Sequence, residues 1–142
     1  MNKVIIGVDL GGTNVKTAMV SWDKQVLAKD SRPTNAEGGP EAVMNAIESS
    51  VRDLLNQSDL RSEDVMAVGI GAPGPMDWRS GVVFSPPNLP GWQDVPLGEM
   101  MQKRLGVPCY VENDANVACY GEFWLGAGQG TQNMALLTLG TG

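Results

Sequence analysis

The stretch Val111-Glu112-Asn113-Asp114-Ala115-Asn116 reads as the end of a strand running into the start of a helix. Pro108-Cys109-Tyr110-Val111 ahead of it is short, apolar and β-prone, and asparagine and aspartate are favoured helix N-caps. Two hydrogen-bonding side chains therefore stand where a sheet empties into a helix. In open α/β sheets that carboxyl edge is where ligands bind. Taken alone, a plain helix cap explains Asn113 and Asp114 slightly better than a site does. A second stretch far upstream, Val8-Asp9-Leu10-Gly11-Gly12-Thr13, shifts the balance.

Working outward, Lys3 to Asp9 is a continuous apolar run of the kind buried on both faces of a sheet, and β-prone character resumes from Val15 to Trp22. A hairpin thus opens the fold, and Gln25 to Lys29 reads as a third antiparallel strand, with a Pro/Asn/Gly loop over Ser31 to Gly39. Pro40 suits the first position of a helix whose Val43, Ile47, Val51, Leu54 and Leu55 recur at helical spacing. Val65 to Ile70 is a strand ending in Gly71-Ala72-Pro73-Gly74-Pro75, a second turn at the same sheet edge. Met76 to Trp92 is a rigid proline-rich loop holding Asn88. Pro96 to Arg104 reads as a short helix stopped by Gly106 and Pro108. The helix from Asn113 to Trp124 is expected to keep one apolar face through Val117, Tyr120, Phe123 and Trp124. Met134 to Leu139 reads as a last strand entering Gly140-Thr141-Gly142, which repeats the grammar of Val4 to Thr13.

Bulk properties narrow the class. A chain of 142 residues with 42% hydrophobic and 18% charged residues suits about one ordinary globular domain. Sixteen acidic residues against ten basic ones, net charge −6, give no electrostatic case for nucleic acid or an anionic membrane. The Val4 to Val8 run is too short for a signal or spanning segment, so the expected location is cytoplasmic and the expected partner a small molecule. Cys109 and Cys119 lack the close spacing of metal or redox pairs and read as reduced thiols. The absence of histidine rules out a Ser-His or Cys-His nucleophile built from these residues alone.

Asp-Leu-Gly-Gly-Thr at a hairpin tip has a chemical rationale. Gly11 and Gly12 let backbone N–H groups turn toward phosphate oxygens, Thr13 adds a hydroxyl, and Asp9 can hold a hydrated Mg²⁺. The Gly-Lys-Ser/Thr ending of a Walker A loop is missing. Asp114 is then the candidate general base for phosphoryl transfer to a hydroxyl. Asn113 and Asn88 each offer the donor and acceptor that a sugar hydroxyl needs, although for Asn88 a turn bonding its own backbone is about as good a reading. Trp78 and Trp92 could stack on a sugar ring, but aromatic residues in loops more often pack on the domain beneath them, and Glu112 is strand-end structure.

Val8–Thr13, Gly69–Gly74, Asn88-Leu89-Pro90-Gly91-Trp92, Glu112–Asn116 and Leu139–Gly142, in this order, resemble the ROK family and particularly its bacterial glucokinases. The resemblance implies an α/β, actin-like ATPase (ribonuclease H-like) lobe with a mixed sheet, residues 1–132 forming the N-terminal lobe and 133–142 starting a second. It implies ATP-dependent phosphorylation of a hexose, foremost glucose to glucose 6-phosphate, by a cytoplasmic homo-oligomer, foremost a dimer. Phosphate would be met by Asp9, Gly11, Gly12 and Thr13 and by Gly140, Thr141 and Gly142, with Mg²⁺ held through water at Asp9. Asn88, Asn113 and the backbone of Gly71 to Gly74 would hold the sugar, and Asp114 would be the base. Further sugar ligands, a structural zinc site and most of the adenine pocket are expected beyond Gly142, so the chain alone should turn over little and expose Met134 to Leu139 to self-association. Asn14 stands where many members carry lysine, and Lys16 looks too far along the strand to replace it. The competing readings are a sugar-binding regulator of the same family, for which no DNA-binding segment fits ahead of Lys3, and a non-catalytic fragment.

Overall fold

Alternation along the first strand sets the architecture. In the computed structural model, which describes residues 3–139, β1 (Val4–Leu10) buries Val4, Ile6, Val8 and Leu10 and exposes Ile5, Gly7 and Asp9. It is central in a five-stranded sheet of order β3-β2-β1-β4-β7. β2 (Asn14–Ser21) and β3 (Val26–Pro33) add antiparallel strands on one side, and β4 (Val65–Ala72) and β7 (Cys109–Asn113) add parallel ones on the other. A small second sheet pairs β5 (Met76–Asp77) with β6 (Val82–Val83).

The apolar residues of β1 belong to one buried cluster with residues of two helices. α1 (Gly39–Gln57) packs on β2 and β3 through Val43, Met44, Ile47, Val51 and Leu54, and α2 (Leu97–Leu105) packs on β7 and on α1. Burying each of these side chains stabilises by roughly 1.5–3 kcal/mol, so this face is where folding is decided. Gly106 ends α2 in the left-handed conformation at φ 72°, as its glycine-then-proline signal predicts. A polar relay is sealed in under α1: the Ser50 hydroxyl contacts Thr17 Oγ1 at 2.8 Å and Asp30 at 2.6 Å. The Arg32 guanidinium beside Asp30 holds its carboxyl below the usual range despite the opposing pull of burial, with Ser50 assisting. Burial alone pushes the Cys109 thiol up to about 11.

Four expectations need correction. β3 runs to Pro33 because β2 offers a full-length partner, with Asn14 paired to Pro33 at the end where an edge strand tolerates proline. The Met76–Trp92 loop contains the β5–β6 hairpin. α3 (Asp114–Leu125) exists, but none of its residues is buried, so Val117, Tyr120, Phe123 and Trp124 form no core-facing stripe. Met134–Leu139 forms no strand: a strand exists only through a ladder partner, and these residues have none among the described ones, leaving Leu137 and Leu139 exposed. Among the described residues no helix is long and apolar enough to cross a membrane.

Candidate active site

Parallel pairing carries the ends of three strands to one edge. Asp9 of β1 pairs with Gly71 of β4, and Gly71 pairs with Glu112 of β7. Two strand spacings of about 4.8 Å place β7 roughly 10 Å from β1. Two residues further along, the chain has left β1 for the Gly11–Thr13 turn, has left β4 for the Pro73–Gly74 turn, and enters α3 at Asp114. The three turns face one another across this edge.

The hairpin tip is held in shape by a residue that local sequence does not reveal. Buried Thr34 donates its hydroxyl to Gly11 O at 2.6 Å and its N–H to Thr13 O at 2.9 Å. The Gly11 N–H is consumed within the turn by Asn14 O at 3.0 Å, so it cannot serve phosphate as the sequence reading expects. The N–H groups of Gly12 and Thr13 have no acceptor among the described residues and remain free to bind an anion. A Cβ on Gly12 would sit 3.0 Å from Asn88 Cβ and 3.1 Å from Asn88 O, so any larger residue would push the Asn88 loop away by a few tenths of an ångström. The same close approach puts Asn88 beside the hairpin. The Asn88 amide makes no hydrogen bond among the described residues, so the backbone-bonded turn reading does not hold, while Leu89 and Trp92 anchor its loop by burial.

Contacts then pass from loop to loop. Gly74 adopts φ 81°, and a Cβ on it would strike Pro86 at 2.8 Å. Its carbonyl accepts the Asn113 amide at 3.3 Å. The position a Cβ would occupy on Gly71 lies 3.5 Å from Asp114 Cα. Asn113 caps α3: its carbonyl oxygen accepts the N–H groups of Ala115 at 3.0 Å and Asn116 at 3.3 Å. With its acceptor used twice and one amide hydrogen on Gly74, Asn113 keeps one N–H for a ligand rather than the donor–acceptor pair expected from sequence. Asp114 anchors one carboxylate oxygen on the Ala115 N–H at 2.8 Å, and the other has no partner among the described residues. Glu112 ties the turn together by accepting the Asn113 N–H at 2.7 Å and the Asn116 amide at 3.1 Å. That is the structural role read from the sequence.

Below this edge the face of the sheet turned away from α1 and α2, on which α3 rests through Val117 at Gly71, forms a depression of about 880 Å³ whose walls include Asp9, Lys16, Gly69, Trp78, Tyr110 and Glu112. The Asp9 carboxylate is exposed and has neither a hydrogen bond nor an ion pair among the described residues. No group of three or more His, Cys, Asp or Glu side chains converges there among the described residues. A lone carboxylate fits Mg²⁺ held through water beside substrate phosphates, the habit of that ion, and not an all-protein cage. Gly140, Thr141 and Gly142 lie outside the described residues.

Comparison with known proteins identifies the family and the fold. The ROK family pattern matches residues 5–142. A glucokinase of Thermotoga maritima is 44% identical over 138 residues, which are 97% of this chain and 42% of the relative. A ROK hexokinase structure from Thermus thermophilus superposes with TM-score 0.79 at 38% identity, over 89% of this chain and 40% of that one. A ROK family glucokinase from Streptomyces griseus, solved in complex with glucose and AMPPNP, gives TM-score 0.78 at 36% identity, over 89% of this chain and 38% of that one. The chain thus spans about two fifths of the length of the curated relative it matches. The mixed sheet with its flanking helices has the actin-like ATPase fold of these sugar kinases. The chain belongs to the ROK family.

Proposed function

We propose that the chain is the N-terminal lobe, residues 1–132, and the beginning of a second lobe, 133–142, of an ATP-dependent hexose kinase that converts glucose to glucose 6-phosphate. The observation that carries this is the convergence of unengaged polar groups at one sheet edge. These are the free N–H groups of Gly12 and Thr13, the free amide of Asn88, the remaining N–H of Asn113 and the open oxygen of Asp114. Donors gathered on the β1 side suit phosphate, and a carboxylate with amides on the β7 side suits a hydroxyl that must be oriented and deprotonated. The names of similar proteins point the same way.

In this reading Asn88 and Asn113 orient the sugar over the Gly71–Gly74 turn. The free oxygen of Asp114 takes the proton of the attacking hydroxyl while Ala115 holds the other oxygen still. Gly12 and Thr13 hold phosphate oxygens, with Gly140–Gly142 contributing a second phosphate turn, and Asp9 would hold Mg²⁺ through water. Bound Mg-ATP supplies the phosphoryl group and the cation that offsets its charge. The test is a panel of hexoses with ATP and Mg²⁺ on this sequence continued to the length of its relatives. Glucose should lead the panel, and Asp114→Asn should lower turnover by about 10²- to 10⁴-fold while sugar still binds. Unchanged turnover would remove Asp114 from its role. Sugar binding without turnover of any hexose by the unaltered protein would favour a sugar-responsive regulator.

A further inference from the structure

The peptide unit between Gly11 and Gly12 is the loosest place in the β1–β2 tip, because glycine on both sides leaves no Cβ to restrict its rotation. A backbone bond from the Asn14 N–H to the Gly11 carbonyl would tie it down, but none is made among the described residues. Thr34 supplies the missing partner from just beyond β3. Its hydroxyl donates to the Gly11 carbonyl at 2.6 Å, and its own N–H donates to the Thr13 carbonyl at 2.9 Å. Thr34 is fully buried between the end of β3 at Pro33 and the 3-10 turn Ala36–Gly38 that leads into α1. Both of its donors are therefore anchored in the body of the lobe and not in the hairpin itself.

A trans peptide unit is planar, so its carbonyl and its N–H point in opposite directions. Fixing the Gly11 carbonyl therefore aims the Gly12 N–H, which belongs to the same unit, away from Thr34. Fixing the Thr13 carbonyl holds the unit on the other side, so the intervening Gly12–Thr13 unit, which carries the Thr13 N–H, is clamped at both ends. We propose that Thr34 is the positioning residue of the phosphate turn, its hydroxyl setting the direction in which the Gly12 N–H meets a phosphate oxygen. Thr34 itself touches no ligand. Without the hydroxyl the unit rotates about its two glycines, and the cost of ordering it falls on the binding step. This rests on reading the hairpin as the phosphoryl donor's phosphate site.

The experiment uses this sequence continued to the length of its relatives, with Thr34→Val, Thr34→Ala, Thr34→Ser and, as a stability control in the fully buried core, Ile47→Val, each checked by thermal melting. Calorimetry with inorganic tripolyphosphate reads the phosphate site, and initial rates give KM for Mg-ATP and for glucose separately. Thr34→Val keeps the shape and removes the hydroxyl. Loss of one aligned hydrogen bond to a charged oxygen should weaken tripolyphosphate binding about tenfold and raise the ATP KM by a similar factor, with the glucose KM unchanged. Thr34→Ala should follow it, which guards against a packing fault in one variant. Thr34→Ser keeps the hydroxyl and should stay within about threefold of the unaltered protein, and Ile47→Val should lower the melting temperature alone. Three results would overturn the inference alone: tripolyphosphate bound equally well by Thr34→Val and Thr34→Ala, binding weakened as much by Ile47→Val, or a glucose KM raised as far as the ATP KM. The calorimetry decides the inference even where no hexose is turned over. No tripolyphosphate binding by the unaltered protein would remove the hairpin reading, and this inference with it.

Discussion

The two faces of the sheet differ although the same strands make both. On the covered face β1 presents Val4, Ile6, Val8 and Leu10, each at most 4% exposed, against α1 and α2. On the other face the same strand presents Ile5, Gly7 and Asp9, continued across β4 and β7 by Gly69, Tyr110 and Glu112. One face carries close packing and the other carries small, polar or unpartnered groups. Stability and candidate chemistry are thus separated by the period of two along each strand, and substitutions one residue apart should have different consequences.

The largest stability effect should come from the covered face. Ile6→Ala removes a fully buried side chain and should cost about 2–5 kcal/mol, whereas Tyr110→Ala, at 68% exposure on the opposite face, should change stability by about 0.5 kcal/mol or less. Denaturant melts of both variants check this, and comparable losses would break the contrast. At the edge where the faces meet, Asn113→Ala removes the α3 cap and should cost about 0.5–2 kcal/mol. Because Asn113 also grips Gly74, sugar affinity should fall together with stability, and a drop in stability with affinity intact would confine Asn113 to capping. The smallest effect concerns acid. The Asp30 carboxyl is held below its ordinary value near 3.8 chiefly by Arg32. Its stabilisation is therefore present above that value and disappears as pH falls through the lower folded value. Asp30→Asn should remove this part of the acid dependence, so that melting curves of variant and unaltered chain converge as pH drops below about 4.

How much of this was legible depended on the range of the interaction. Val4–Leu10, α1 and the Gly106 stop are written in local periodicity and turn chemistry, so sequence placed them to within a residue or two. The C-terminal half of β3 was not legible, because Ser31-Arg32-Pro33 looks like a loop until β2 supplies a ladder. Met134–Leu139 has strand composition, but composition cannot provide a partner. At the site, Asp114 and Asn88 could be singled out from residue type and spacing. The Thr34 clamp, the loss of the Gly11 N–H to its own turn and the pairing of Lys16 with Asp9 all depend on registers that only the folded sheet sets. Asn113 shows a mixture of both. Its cap is local and was readable, but the bond to Gly74 spans 39 residues and reduces what the amide can offer a sugar.

The central claim is spatial: the hairpin tip and the head of α3 serve one pair of reacting groups. The most direct measurement is a crystal structure of this sequence, continued to the length of its relatives, with glucose and a non-hydrolysable ATP analogue. The account predicts a sugar hydroxyl within about 3 Å of an Asp114 carboxylate oxygen and phosphate oxygens on the Gly12 and Thr13 N–H groups. Phosphates bound away from the hairpin, or a sugar whose hydroxyls all lie out of reach of Asp114, would contradict it.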